Sequence, residues 1–181
     1  LGTELRGKTL GIIGHGRIGC RTAEIFQKGF DMNVVYTDAV RSEAQEEKCR
    51  ITFMSLIDLL KTADVVSIHV PLLPTTRHLI GQNELRIMKE TSYLINTSRG
   101  PIVDEKALVE ALKAGEIKGA ALDVFEEEPR LAPGLTKLGN VLLTPHMASA
   151  TKEARGNMAA MTVNNIIAAL SGQTPPNLVQ A

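Results

Sequence analysis

Three kinds of polar side chain follow three apolar runs in this 181-residue chain. Arg99 comes after Tyr93-Leu94-Ile95-Asn96, the acids Glu126-Glu127-Glu128 come after Ala121-Leu122-Asp123-Val124-Phe125, and His146 comes after Val141-Leu142-Leu143-Thr144-Pro145. A guanidinium is a permanently charged planar fork that suits a carboxylate or a carbonyl oxygen. An imidazole can give a proton to an oxygen near neutral pH and take it back. A carboxylate beside that ring orients it and favours its protonated form. Together these groups fit reduction of a 2-oxo acid, with the hydride supplied by something else that the chain must hold. Singly, each has a plainer role: Arg99 as a helix cap, any of the three acids as a solvated charge, His146 as a loop histidine. It is their joint occurrence that carries the chemistry.

The hydride carrier is announced by Gly14-His15-Gly16-Arg17-Ile18-Gly19, a G-x-G-x-x-G between an apolar run and a helical pattern. In that context one glycine makes a tight turn, one admits the pyrophosphate to the backbone, and one lets helix pack on strand. Free N–H groups at the positive end of the helix then face the phosphates. Asp38 follows nineteen residues after Gly19, near the offset at which a carboxylate meets the adenosine ribose. Ionised, it accepts from the ribose hydroxyls and repels a 2′-phosphate, which favours NAD over NADP. Arg41, three residues on, is a side chain able to serve such a phosphate.

These groups need a frame that puts them on one rim. Apolar runs predict strands at Thr9 to Ile13, Asn33 to Tyr36, Val65 to His69, Tyr93 to Asn96, Ala120 to Val124 and Val141 to Leu143. Helical patterns fall at Arg17 to Phe30, Ser55 to Lys61, Asn83 to Lys89, Glu105 to Ala114 and Ser149 to Leu170. Asp104 and Gly115 punctuate the fourth helix as N-cap and left-handed stop. Ser149, Thr151 or a neighbour caps the last, whose Met158, Met161, Ile166 and Leu170 suggest a buried stripe. Alternating strands and helices imply a Rossmann-type, doubly wound parallel sheet of about six or seven strands in a single domain. Ligands of such sheets sit beyond the carboxyl ends of the strands, where Arg99, the acids and His146 fall. The expected layout is a dinucleotide-binding domain over residues 1–170 and an exit linker over 171–181, with Gly172, Pro175 and Pro176.

Composition narrows the partners. Twenty basic and twenty acidic side chains leave no footprint for nucleic acid or an anionic membrane. No run is long and apolar enough to span a bilayer, and no signal peptide is evident. Cys20 and Cys49 make no CxxC pair and no disulfide framework, which suits packing in a reducing compartment. A soluble cytoplasmic protein with a small-molecule ligand and no metal set is therefore expected.

The ordered motifs go further. Gly11 to Gly19, His69-Val70-Pro71 with Thr75-Thr76, Ile95 to Gly100, Leu122 to Phe125 through Glu128-Pro129, and Thr144-Pro145-His146 together resemble the cofactor domain of the D-isomer-specific 2-hydroxyacid dehydrogenases, over essentially the whole chain. The resemblance implies that Arg99 binds substrate, that His146 is the catalytic histidine, and that Glu128, directly before the proline, is its acid. It implies cofactor contacts by Arg17, Ile18, Asp38, Val70, Thr97, Arg99 and Asp123. The same motifs add His69, Pro71, Thr76, Ser98, His146 and Ser149 to Gly14, Gly16 and Gly19. Ala132-Pro133-Gly134-Leu135 and His146-Met147-Ala148-Ser149-Ala150 look most like the glycerate dehydrogenases (hydroxypyruvate reductases) and glyoxylate reductases. The family also implies a homodimer and a substrate domain of the same polypeptide, absent here, without which the domain binds NAD but does not turn over. Corepressor-like NAD sensors with the same triad, and formate or phosphite dehydrogenases, are the rival identities; Glu128 in place of an amide argues against the formate branch.

Overall fold

The computed structural model describes residues 2–179; Leu1, which opens the expected domain, and Gln180 and Ala181, which close the expected linker, lie outside them. Seven strands are found: β1 Thr9–Ile13, β2 Asn33–Thr37, β3 Thr52–Phe53, β4 Val65–Ile68, β5 Tyr93–Asn96, β6 Gly119–Leu122 and β7 Val141–Leu143. All neighbours pair in parallel, in the order β3-β2-β1-β4-β5-β6-β7. The chain winds outward from β1 to β3 and then returns to lay β4 against the other side of β1. This reversal leaves a crevice at the carboxyl ends of β1 and β4, the place where open α/β sheets bind ligands.

The helices are α1 Arg17–Phe30, α2 Glu43–Cys49, α3 Leu56–Thr62, α4 Gln82–Ile87, α5 Glu105–Ala114 and α6 Lys152–Leu170. β1 reads as one continuous apolar run because both its faces are covered. Leu10 and Ile12 join Ala23, Val34, Tyr36 and Ile51 in one core layer, while Ile13 joins Val35, Leu59, Val66, Leu94 and Leu108 in the other. The doubly wound expectation is thus met. α5 has the expected ends: the Asp104 carboxylate accepts from the Ala107 N–H at 3.0 Å, and Gly115 stops the helix at φ 72°.

Three expectations are corrected. α2 and β3 were not anticipated: α2 buries no residue, so it has no apolar period, and β3 is only two residues long. The last helix starts at Lys152, with Thr151 as N-cap accepting from the Ala154 N–H at 3.0 Å. Its apolar stripe is not buried; no residue of α6 is, and Leu170 is 84% exposed. At 100° per residue, Met158, Met161, Ile166 and Leu170 span about 180° of the helix, and Val163 and Ile167 widen the apolar arc to about 240°, so it is no narrow face.

By its contacts the chain divides into two compact units, one ending at His146 and one beginning at Met147. The first holds the whole sheet with α1 to α5. The second is α6 with its flanking turns, where the Asn165 side chain accepts from the Asn177 N–H at 3.1 Å.

Candidate cofactor and proton-transfer site

Beyond β1 the chain turns at Gly14, whose φ of 94° is a region that L side chains rarely adopt. A Cβ there would also meet the Val70 N and Cγ1 at 2.7 Å, so β4 and the turn touch backbone to backbone. The three glycines differ in kind. A Cβ on Gly19 would lie 2.1 Å from the Gly14 carbonyl oxygen, whereas one on Gly16 meets nothing within 4 Å. Gly19 is therefore closed by protein, and Gly16 faces open space. Gly16 is the N-cap of α1 and offers no side-chain cap, and the first turn carries no acid. A helix end left like this favours an anion. Arg17 and Ile18 are exposed beside it, and a groove of ≈ 710 Å³ runs past Gly16, Arg17, Ile18, Thr22 and His69.

Asp38 closes the other side of the turn. One carboxylate oxygen accepts from the His15 N–H at 2.7 Å and the other from the Ala39 N–H at 2.7 Å. An ionised carboxylate has about four acceptor sites, so capacity for two ribose hydroxyls is left. Arg41 is not turned to that place. Its Nε and Nη2 donate to the two Glu46 carboxylate oxygens at 2.8 and 3.0 Å, and its guanidinium lies over Phe53.

His15 was not singled out from sequence, because nothing local marks it as buried. The residue is 6% exposed, its ring lies 4.7 Å from the Tyr36 ring, and both ring nitrogens are buried without a hydrogen-bond partner.

The β4 and β5 ends follow. His69 is linked through Nε2 to the Ser67 hydroxyl at 2.9 Å, and burial pushes its imidazole below the usual range. The Ser98 hydroxyl donates to the Val70 carbonyl, which ties the two strand ends together. The Thr76 hydroxyl donates to the Pro71 carbonyl at 2.7 Å and accepts from the Leu73 N–H, closing the loop between. Buried Asn96 folds the β5 exit: its amide donates to the Arg99 carbonyl at 2.9 Å and accepts from the Ser98 N–H at 3.0 Å. That leaves Thr97 and the Arg99 side chain exposed.

Beyond β6 and β7 the acid and the histidine meet. His146 Nδ1 lies 3.0 Å from Glu128 Oε2, and Glu128 Oε1 accepts from the Phe125 N–H at 3.1 Å. The His146 bond, then the Phe125 N–H, hold the Glu128 carboxyl below the usual carboxylate range, with a smaller contribution from the Arg99 charge. The Arg99 guanidinium itself donates from Nη1 to the Ser98 carbonyl at 2.7 Å. The histidine backbone sits at φ 50°, an uncommon conformation for a residue with a Cβ, and its N–H donates to the Asp123 carbonyl at 2.8 Å. The Asp123 carboxylate, buried, accepts from the Thr144 hydroxyl at 2.6 Å. Of the expected residues, Ser149 belongs to the second unit, where its carbonyl accepts from the Thr151 N–H.

The loop that presents Glu128 is fastened by a residue that sequence alone made look like an ordinary first-turn acid. Glu105 is 4% exposed, and its two oxygens accept from the Glu126 and Ala132 N–H groups at 2.6 and 3.3 Å. Burial raises its carboxyl above the usual range. The same loop rests on Gly100, where a Cβ would overlap the Phe125 carbonyl.

An open Gly16 at an uncapped helix end, Gly14 and Gly19 packed against backbone, and an acid at the end of β2 make the first unit a Rossmann-type dinucleotide-binding domain. The residues present fit such a ligand by shape as well as by motif. The match to known proteins narrows the class: residues 1–148 fit the family model for the D-isomer specific 2-hydroxyacid dehydrogenase, NAD binding domain. The chain belongs to that family and is an NAD-binding domain of it. It is 55% identical over 181 residues to the glyoxylate reductase of Aeropyrum pernix, covering 99% of this chain and 53% of that protein. Against the glyoxylate reductase of Thermococcus litoralis it is 51% identical over 179 residues, 99% of this chain and 54% of that one. Among solved structures, the D-lactate dehydrogenase with NAD+ from Lactobacillus jensenii superposes with a TM-score of 0.88 at 32% identity, over 100% of this chain and 58% of that one. The chain therefore spans about half the length of the relatives it matches. Among the described residues no helix is long and apolar enough to cross a membrane.

Proposed function

We propose that the protein carrying this chain uses NADH to reduce a small 2-oxo acid, glyoxylate or hydroxypyruvate foremost, to the 2-hydroxy acid. The observation that carries the proposal is the 3.0 Å contact between His146 Nδ1 and Glu128 Oε2 in a domain that holds NAD. When bound, the nicotinamide supplies the hydride. Gly14, Gly16, Arg17, Ile18 and Gly19 hold the pyrophosphate and Asp38 the adenosine ribose. His69, Val70, Pro71, Thr76, Thr97, Ser98 and Asp123 line the path toward the reacting end. Arg99 binds the substrate carboxylate as a fork. Glu128 keeps the His146 Nδ1–H engaged, so Nε2 is the atom that gives a proton to the substrate oxygen and recovers it in the reverse direction. The remaining half of the protein supplies the second wall of the cleft. The same proposal includes a homodimer working in the cytoplasm.

The test is turnover by the parent protein on glyoxylate, hydroxypyruvate and pyruvate with NADH. His146→Ala should lower kcat by about 10²- to 10⁴-fold while the NADH dissociation constant stays within about twofold. Failure to reduce every 2-oxo acid tried, or full activity in the His146 variant, overturns it. The 181-residue chain by itself should bind NADH with little or no turnover, since water is not excluded from half a cleft.

A further inference from the structure

The loop between β2 and α2 carries two opposite instructions to a dinucleotide. Asp38 rejects a phosphate on the adenosine 2′ oxygen, and Arg41, three residues on, would welcome one. The backbone of this loop is fixed at both ends: Asp38 accepts from the His15 and Ala39 N–H groups, and the Tyr36 hydroxyl accepts from the Ser42 N–H at 3.0 Å. Arg41 thus stands beside the ribose acid at a set position, and only its side chain has a choice of direction.

Glu46 makes that choice. Its side chain is 16% exposed against 55% for Arg41, so the acid is the fixed partner and the arginine the free arm. Glu46 Oε1 accepts from the Tyr36 hydroxyl at 3.1 Å as well as from Arg41 Nε at 2.8 Å. Oε2 takes Arg41 Nη2, so two guanidinium donors are matched to two acceptors, the strongest geometry an arginine has. Phe53 lies under the guanidinium at 5.8 Å. The electrostatics agree in direction, with the Arg41 guanidinium pushed up by Glu46 and the Glu46 carboxyl held down by Arg41.

We propose that Glu46 is a cofactor-specificity residue: it holds Arg41 away from the adenosine ribose, so that Asp38 alone addresses the 2′ position and NAD is preferred. Removing the Glu46 charge frees the fork for a 2′-phosphate without touching the glycine turn, Asp38 or the His146 pair. The effect is on binding and is independent of the reaction proposed above.

The experiment measures NADH and NADPH dissociation constants by nucleotide fluorescence for this chain and its Glu46→Gln, Arg41→Ala and doubly substituted variants. In Glu46→Gln the ratio of the NADPH to the NADH constant should fall about fivefold, the scale of an exposed charged contact, and the fall should shrink as salt is raised. In Arg41→Ala and in the double variant the ratio should stay at the native value. A merely structural role for Glu46 would weaken both nucleotides alike and would not need Arg41. The proposal is overturned if the ratio in Glu46→Gln moves less than twofold, or moves equally in the double variant. It is also overturned if Arg41→Ala alone raises the ratio, because Arg41 would then already serve the phosphate. That last variant changes an exposed side chain and remains decisive if Glu46→Gln does not fold.

Discussion

Two of the three glycines of the turn, Gly16 and Gly19, differ enough in their surroundings to be separated by one methyl group each. Gly19→Ala puts a Cβ 2.1 Å from the Gly14 carbonyl oxygen and 3.1 Å from Cγ2 of fully buried Ile12. The first neighbour is backbone and cannot rotate away, so turn and helix must part by about 1 Å, a distance that forfeits up to about half of a close contact. Overpacking of this kind costs about 3 kcal/mol. For a domain of this size that lowers Tm by roughly 6–12 °C. Gly16→Ala is the opposite case. The backbone there is at φ −72° and ψ −166°, open to any residue, and no atom lies within 4 Å of the added carbon. Its Tm should fall by no more than about 4 °C, because Ala is the poorer N-cap while the unfolded chain loses some freedom. NADH binding should nevertheless weaken by about tenfold or more, since the methyl stands where the pyrophosphate must reach backbone N–H groups. Thermal unfolding and NADH titration of the two variants give four numbers. Equal losses of stability in both, or undiminished NADH affinity in Gly16→Ala, would refute this division of labour.

Two further outcomes follow from groups around the site. His15→Leu removes two buried, unpartnered ring nitrogens and should stabilise the chain by about 1 kcal/mol after loss of the Tyr36 contact, because buried unmet polar groups are costly; a lower urea midpoint than native contradicts this. Glu128 has a folded pKa below its unfolded value, so its contribution is complete above about pH 4.3 and disappears as pH falls through the folded value. Glu128→Gln should therefore flatten the acid limb of a stability-against-pH curve, modestly because the side chain is 39% exposed; an acid limb identical to native counts against the His146 bond as its cause.

Elements with local punctuation were readable in full from the residues. α1 and α5 have the expected limits because Gly16, Asp104 and Gly115 act on their nearest neighbours in the chain. α2 and β3 were hidden because nothing in Glu43–Cys49 is buried, and a two-residue strand has no period to detect. The site divides the same way. Asp38, Arg99 and His146 show themselves by following apolar runs. The choice of Glu128 among three adjacent acids needed the family pattern, since the contact with His146 spans eighteen residues. His15, Glu46 and Glu105 escaped notice because burial, bidentate pairing and a bond across twenty-one residues are properties of the assembled fold. The stripe expected on α6 does fall within one half of the helix at 100° per residue, but a spacing marks a face and not what covers it, and none of its residues is buried.

Glu105 binds the loop at Glu126 and Ala132 and leaves the stretch between them to its own bonds, with Glu128 turned back to Phe125 and the Arg130 N–H donating to the Glu127 carbonyl. Glu127 and Arg130 at the tip are exposed. The loop therefore behaves like a bracket riveted at both feet, and what it carries at its crown is the carboxylate that steadies His146. Slack introduced between Glu127 and Arg130 would reach the histidine directly, so a tag or insertion belongs outside the two feet.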